Sequence, residues 1–410
     1  MKICVFTLGC KVNQYESDGI INGLIARGHD VSAELGPADV YILNTCAVTS
    51  LAERKSRQLI ARARRYNPDA RILVCGCAGQ KNAKSFLDKG VDFVIGNGEK
   101  LTLVDFDNLT GSAVKPCPLT YESGYKARPE RVRTYVKIQD GCNNFCSYCI
   151  VPYLRGRSRS RDMAEAVQEI KSVKGEVVLT GIDISDYGVQ QGKSLTDLIV
   201  ALDGYCERVR LGSLEVRAIT PGLLDALAAL PGFCPHFHLS LQSGSDTVLK
   251  TMNRHYTTAE YFEKVSLIRD KFPNASITTD VIVGFSTESE DEFNQSMAFL
   301  KKVGYSDVHV FPYSVREGTA AAKIKPLPPA EVERRRDIAL GIKEELKSAY
   351  VDAQIGKTLS VLIEEECDGQ MVGYSENYVR VYADAGKEIG KVYSLTATER
   401  YLDGVRAKDR

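Results

Sequence analysis

A chain of 410 residues, 44% hydrophobic and 26% charged, has the composition of an ordinary globular protein with room for two or three cores, which excludes a disordered or fibrous class. Lys plus Arg (53) equals Asp plus Glu (53), so any affinity for nucleic acid must come from local basic patches and not from a global field. The opening apolar run is too short for a signal peptide, and no segment reaches the roughly 18 apolar residues of a membrane span, so a cytoplasmic enzyme with no membrane partner is expected.

The first block alternates apolar runs, "KICVFTL" (2–8), "DVYILN" (39–44), "RILVC" (71–75) and "VDFVIG" (91–96), with helical patterns near 14–27, 50–66 and 79–88. This order predicts a parallel, doubly wound α/β sheet over residues 1–104. Ser50 and Glu53 have the spacing of a capping box. Cys10, Cys46 and Cys77 each fall just past the carboxyl end of a strand, on the sheet edge where such folds hold ligands. About 30 residues is one βαβ unit, so these cysteines converge in space and make a second three-thiolate site plausible.

Residues 105–132 lack periodicity and read as a linker. Six strand candidates follow: 134–139, 176–180, 209–214, 237–241, 277–283 and 307–313. They predict an incomplete TIM-like (β/α)6 barrel over 133–345, with chemistry at the carboxyl ends of its strands. The last block, 346–410, begins with the end of a charged helix and reads as a small β-barrel.

Twelve cysteines in a chain without a secretion signal point to metal or cluster ligation and not to disulfides. Cys4, Cys75, Cys117, Cys206, Cys234 and Cys367 read as small buried hydrophobes. Cys142, Cys146 and Cys149, in "DGCNNFCSYCIVPYLRG", crowd three thiols into eight residues after the first barrel strand. A 4Fe-4S cluster normally takes four thiolates, and this loop supplies three. Zinc is the competing occupant, but structural zinc needs four closed ligands and no fourth is apparent.

C-x-x-x-C-x-x-C ahead of β/α units resembles the radical S-adenosylmethionine (SAM) superfamily, in which SAM chelates the fourth iron and is cleaved to a 5′-deoxyadenosyl radical. The blocks "TLGCKVNQYESD", "NTCAVTSLAERKSRQ", "CGCAGQ", "GCNNFCSYCIVPYLRGRSRSR", "LTGIDISDYG", "HLSLQSGSDTVLKTMNRHYT", "TTDVIVGFSTESEDEF" and "HVFPYSVREGTAA" resemble, in order, its methylthiotransferase family, and the last block resembles the family's TRAM domain. "TLGCKVNQYES" and "PYLRGRSRSR" look most like the bacterial branch acting on N6-threonylcarbamoyladenosine at position 37 of tRNA.

The resemblance implies two 4Fe-4S clusters, one on Cys142, Cys146 and Cys149 with SAM, and an auxiliary one on Cys10, Cys46 and Cys77 with an open iron for a sulfur ligand. It implies that Tyr148 packs or hydrogen-bonds near the adenine of SAM. Thr180 and Gly181 stand where many superfamily members have a Gly-Gly-Glu-Pro segment for the SAM amino group. Glu215, Arg217, Gln242, Ser243 and Asp280 are the other polar groups expected around SAM. Partners implied are tRNA, a flavodoxin- or ferredoxin-like electron donor and a sulfur donor.

Two basic stretches support RNA. "ERKSRQLIARARR" carries six Lys or Arg against one Glu, and Arg155, Arg157, Arg159 and Arg161 follow the second cysteine triplet, so all four are expected to meet phosphates. Residues 351–410 hold eight basic and eleven acidic residues, so an RNA role there would rest on features such as Tyr374, Tyr378 and Arg380. Competing readings are a methylthiotransferase for a ribosomal-protein aspartate, one for isopentenyladenosine in tRNA, and a noncatalytic iron–sulfur electron carrier.

Overall fold

The computed structural model describes residues 1–128, 131–205 and 207–409; Cys206, linker residues 129 and 130, and Arg410 lie outside the described residues. The first block forms a parallel sheet in the order β2-β1-β3-β4-β5-β6, from β1 (Lys2–Thr7), β2 (Asp30–Ser32), β3 (Val40–Thr45), β4 (Arg71–Gly76), β5 (Phe93–Val94) and β6 (Gly111–Ser112). Helices α1 (Lys11–Ala26), α2 (Ser50–Tyr66), α3 (Cys77–Lys81) and α4 (Lys84–Leu87) connect them, and one apolar core lies on each face of the sheet. α2 has the expected bounds, but its cap differs. Thr49 is the N-cap and accepts from Ala52 N, while Ser50 and Glu53 instead bind Arg316 from the barrel.

The segment read as a linker is packed. β6 still pairs with β5, Tyr121 donates to the carbonyl of Lys137, and Tyr15 of α1 donates to that of Tyr125. The Lys137 ammonium lies 5.2 Å from the ring centres of both Tyr121 and Tyr125. Aromatic faces and a buried cation thus replace the periodicity that sequence patterns detect.

Next come β7 (Arg133–Lys137), β8 (Gln139–Asp140), β9 (Arg159–Ser160), β10 (Glu176–Thr180), β11 (Arg208–Leu211), β12 (Ser213–Leu214), β13 (His236–Leu239), β14 (Ser276–Val283) and β15 (Asp307–Pro312). Parallel sheets β11-β10-β7 and β12-β13-β14-β15 meet at Gly212, whose N–H still bonds Leu179. Together they make a six-stranded open arc around one large core, with α1 packed against the edge strand β7. A helix at Pro329–Asp352 leads to a closed barrel in the order β16-β17-β18-β20-β19, from β16 (Thr358–Cys367), β17 (Gln370–Ser375), β18 (Arg380–Ala383), β19 (Val392–Tyr401) and β20 (Gly404–Asp409).

The small barrel closes the amino-terminal end of the arc. Glu176 binds Arg133, Arg208 and Arg210, and those arginines reach Glu364, the Ser360 carbonyl and the Ser375 carbonyl. Tyr378 stacks on His236 at 4.4 Å, and Tyr374 stacks on Tyr378. Tyr374 and Tyr378 are therefore committed to this interface rather than to an RNA face. Arg380 sits between Glu365 and Asp403.

Of the cysteines read as buried hydrophobes, Cys4, Cys75 and Cys234 are buried. Cys117 is only half-buried, in the packed strap, and Cys367 is exposed at the end of β16, where the strand leaves its core.

Candidate functional site

Three neighbouring parallel strands deliver the first triplet to one edge. Cys10 caps α1 after β1, Cys46 follows β3, and Cys77 opens α3 after β4. Gly76 has φ +93°, and a side chain there would strike the Thr45 carbonyl, so the turn that presents Cys77 demands glycine. Burial, then Cys77, push the Cys46 thiol up to about 11.

The second triplet occupies the loop between β8 and α5 (Val151–Arg155). Gly141, at φ +70°, lies so close to the Arg157 carbonyl that no side chain fits, which lets Cys142 N bond Gly156 O at 3.1 Å. Cys142 Sγ accepts from Asn144 N at 3.4 Å, and Cys146 Sγ accepts from Arg254 at 3.3 Å. Burial pushes both Cys142 and Cys149 up to about 12. Thiols held this way ionise only when an electrophilic centre takes the charge, which is how metal binding couples to deprotonation.

The donor chemistry fits clusters and disfavours zinc. Among the described residues only His238, Asp280 and His309 have ligand atoms all within 4.8 Å of one another, so neither cysteine triplet is gathered that tightly. Thiolates around a single zinc, each at ~2.3 Å, would be. Three thiolates around a larger inorganic core do not require that closeness.

The charge around the first triplet also fits an anionic centre. Among the described residues, Lys100, Lys137, Arg155 and Arg159 are buried around two carboxylates, Glu16 and Asp140. Against the upward push of burial, Arg155 first, then Lys100 and Lys137 hold Glu16 well below the carboxylate range. Arg155 also feels the Cys77 and Cys10 sulfurs. A buried excess of cations calls for nearby negative charge, which thiolate-bound iron–sulfur would provide.

This network overturns the expected role of three arginines. Arg155 and Arg159 are 1% and 2% exposed, and Arg161 is buried against Glu169 and Tyr15. They are internal ion-pair partners out of reach of phosphate. Arg157 alone of the four is exposed, its guanidinium 4.3 Å above the Phe145 ring, and Phe145 meets the exposed Tyr153 edge-on. On α2, Arg54, Lys55, Arg62 and Arg65 are exposed, whereas Arg57 pairs with Glu53 and Arg64 binds backbone carbonyls.

The two triplets are tied together. Arg155, six residues after Cys149, bonds Asn13 and Glu16 of the helix that Cys10 begins. Asn97 donates to Cys77 Sγ at 3.5 Å and to the Leu154 carbonyl at 2.9 Å.

Of the residues expected around SAM, Glu215 and Arg217 line one cavity, Asp280 lines another, and Tyr148, Thr180, Gly181, Gln242 and Ser243 line neither. The first, of 240 Å³, lies beside Cys146 and is also lined by Asn144, Arg254 and Tyr256. Arg254 joins Cys146 to Glu215, and Asp183 joins Arg217 to Asn144. Burial, then Glu215, push the Asp183 carboxyl up. Asp183 and Arg254 were not anticipated, although both lie inside quoted blocks; Asp183 stands two residues after the expected Gly181, whereas Arg254 lies eleven residues after Ser243 and only the fold brings it to Cys146. Thr180 is buried at the end of β10, and Gly181 abuts the Gln139 amide.

Asp280 lines a different cavity, of 470 Å³, in the lumen of the arc with His238 and His309. Gln242, at φ +68°, exchanges backbone bonds with β14, and Ser243 is locked to Ser296. Tyr148 packs edge-on to Phe285, beside Met252. Lys11, next to Cys10, reaches the same lumen.

Residues 136–300 match the "Radical SAM superfamily" family, and residues 2–96 match "Uncharacterized protein family UPF0004". The chain is 38% identical over 410 residues to the threonylcarbamoyladenosine tRNA methylthiotransferase MtaB of Aquifex aeolicus, covering 96% of this chain and 99% of that protein. It is 35% identical to the Bacillus subtilis protein of the same name, covering 96% and 93%. It is 31% identical to the tRNA-2-methylthio-N(6)-dimethylallyladenosine synthase of Pelotomaculum thermopropionicum, covering 97% and 95%. Among solved structures, the radical SAM methyltransferase TsrM of Kitasatospora setae aligns with a TM-score of 0.55 at 16% identity, covering 76% of this chain and 72% of that one, which supports the shared fold. The α/β architecture with a radical SAM domain and a closed carboxyl-terminal barrel agrees with these matches, and 4Fe-4S clusters and SAM are the cofactors that go with them. The chain belongs to the methylthiotransferase family of radical SAM enzymes.

Proposed function

We propose that this enzyme adds a methylthio group to C2 of N6-threonylcarbamoyladenosine at position 37 of tRNA. The observation that carries the reading is the pair of three-cysteine sites linked through Arg155 and Asn97, in a chain whose full length follows relatives named for that reaction.

Cys142, Cys146 and Cys149 would hold one cluster, and Cys10, Cys46 and Cys77 the other. When bound, clusters and SAM supply one-electron cleavage of a carbon–sulfur bond and a sulfur to be methylated and delivered, chemistry that no side chain can perform on an unactivated C–H bond. The chain's own work is placement. Arg254 fixes Cys146 against Glu215, while Asn144, Asp183 and Arg217 shape the wall where a zwitterionic amino acid would sit. The Glu16–Arg155 pair fixes α1, and so Cys10, relative to the loop that holds the second triplet. Arg157 on Phe145, with the exposed cations of α2, offers phosphate contacts and a stacking surface to RNA.

A flavodoxin- or ferredoxin-like electron donor and a separate sulfur donor complete the partners. Among the described residues no helix is long and apolar enough to cross a membrane, and free cysteines in such number suit the reducing cytoplasm. The 31% relative named for dimethylallyladenosine supports a second reading, the same chemistry on an isopentenylated base. Nucleoside mass spectrometry of tRNA from cells with and without the gene separates the two. Loss of 2-methylthio-N6-threonylcarbamoyladenosine alone is expected, and loss of the isopentenyl product instead would overturn the reading.

A further inference from the structure

The 470 Å³ lumen cavity is walled by barrel strands, floored by the small barrel, and reached at one side by Lys11. Its charged groups are unevenly partnered. Asp280 faces His238 at 3.3 Å, Asp307 faces Lys343 at 3.6 Å, and Asp403 takes Arg380 at 3.4 Å and the Tyr382 hydroxyl at 2.6 Å. The side chains of two lining lysines, Lys11 and Lys347, make no hydrogen bond or ion pair among the described residues; Lys347 lies near Asp403, and Lys11 is the one beside Cys10. Glu176 acts on Lys11 only at a distance and is already shared by three arginines. Hydroxyls of Ser213, Thr278 and Tyr378 line the same space.

Lys11 is solvent-accessible where it borders the polar cavity, and an ammonium in that position without a protein partner is free to pair with an anion that enters the cavity. Because Lys11 directly follows Cys10, an anion held there sits beside the first cysteine triplet. The threonylcarbamoyl substituent of the proposed substrate carries a carboxylate and a hydroxyl, whereas a dimethylallyl substituent is wholly apolar and would leave the cation unpaired. Discrimination of that kind depends on how far the bound substituent itself closes the cation off from water.

We infer that the lumen cavity is the subsite for the N6 substituent of the target adenosine, with Lys11 pairing the substituent's carboxylate and so selecting an acidic over an apolar group. The inference rests on the substrate reading above and adds to it the residue that reads the substrate.

The test uses the anaerobic, cluster-loaded enzyme and two anticodon stem-loop RNAs, one carrying N6-threonylcarbamoyladenosine and the other its analogue with the threonine carboxyl converted to an amide. Affinity is measured by fluorescence anisotropy without reductant, and KM by product mass spectrometry. The native enzyme is expected to favour the acid by about tenfold, the consequence of removing the charged partner from one hydrogen bond to an ammonium. Lys11→Met, with iron content matched, should lose that preference by weakening the acid, and Lys11→Arg should keep it. Equal treatment of acid and amide by the native enzyme overturns the subsite without need of any variant, as does an undiminished preference in Lys11→Met. A native enzyme that methylthiolates neither RNA but accepts one bearing N6-dimethylallyladenosine overturns the substrate reading itself.

Discussion

Two sets of three cysteines reach their places by opposite routes. Cys142, Cys146 and Cys149 are neighbours in sequence, and a single loop with a left-handed Gly141 suffices to gather them. Cys10, Cys46 and Cys77 are gathered only because three parallel strands end on one edge. The local triplet is braced by a cation from the barrel, Arg254, and the assembled one by the buried cluster around Glu16 and Asp140. A local site needs a loop, whereas a site built by topology needs the whole domain and its charge balance to be right.

Cys142→Ala should therefore have the largest and cleanest effect. It is expected to abolish both 5′-deoxyadenosine and the methylthiolated nucleoside, and to reduce iron from about eight atoms to about four, on the premise of two 4Fe-4S clusters. Unchanged iron would show that the triplet does not hold a cluster.

Arg155→Met attacks the brace that the two sites share. Glu16 and Asp140 keep Lys100, Lys137 and Arg159, but each loses a cation and the Asn13 amide oxygen loses its donor, so urea denaturation should show a loss of about 1–3 kcal/mol, the range for leaving a buried group unsatisfied. A loss no greater than that of an exposed arginine would mean the network contributes little. The pH dependence follows from the same groups. Glu16, Asp140 and Glu176 are all held below the ordinary carboxylate range by their cations, against burial. A carboxylate depressed in the folded state stabilises above its unfolded pKa and loses that contribution as pH falls toward its folded value. Stability should thus be retained down to about pH 4 and fall steeply below it. A decline already complete at pH 6 would exclude these carboxylates as its source.

Arg157→Gln is the mildest change. It should weaken tRNA binding a few-fold and lower the slope of log affinity against log salt by about one, with stability altered by less than about 0.5 kcal/mol. Arg159→Gln should do the reverse, reducing stability with little change in salt slope, because its guanidinium faces Asp140. Identical salt slopes for Arg157→Gln and the native enzyme would remove Arg157 from the RNA surface.

That reversal marks the limit of what sequence conveys. Strand β10, helix α2 and the cysteine loop follow from periodicity and spacing, and β10 and α2 fall on the predicted residues. The run "RGRSRSR" reads as a basic patch because charge is visible in sequence and burial is not. Arg155 and Arg159 point inward to carboxylates supplied by Glu16, 139 residues before Arg155, and by Asp140, and Arg161 points inward to Glu169. Tyr378 likewise reads as an RNA-facing aromatic, yet it stacks on His236, 142 residues earlier. Arg254 and Asp183 acquire their roles through partners on other strands, and two-residue strands such as β6 carry no periodic signal at all.

The central claim is that the two triplets do different work, and Cys46→Ala tests it most directly. The variant, reconstituted anaerobically, confirmed folded and assayed with reductant, SAM and tRNA by mass spectrometry, is expected to yield 5′-deoxyadenosine but no methylthiolated nucleoside. Methylthiolated tRNA from that variant would contradict the account.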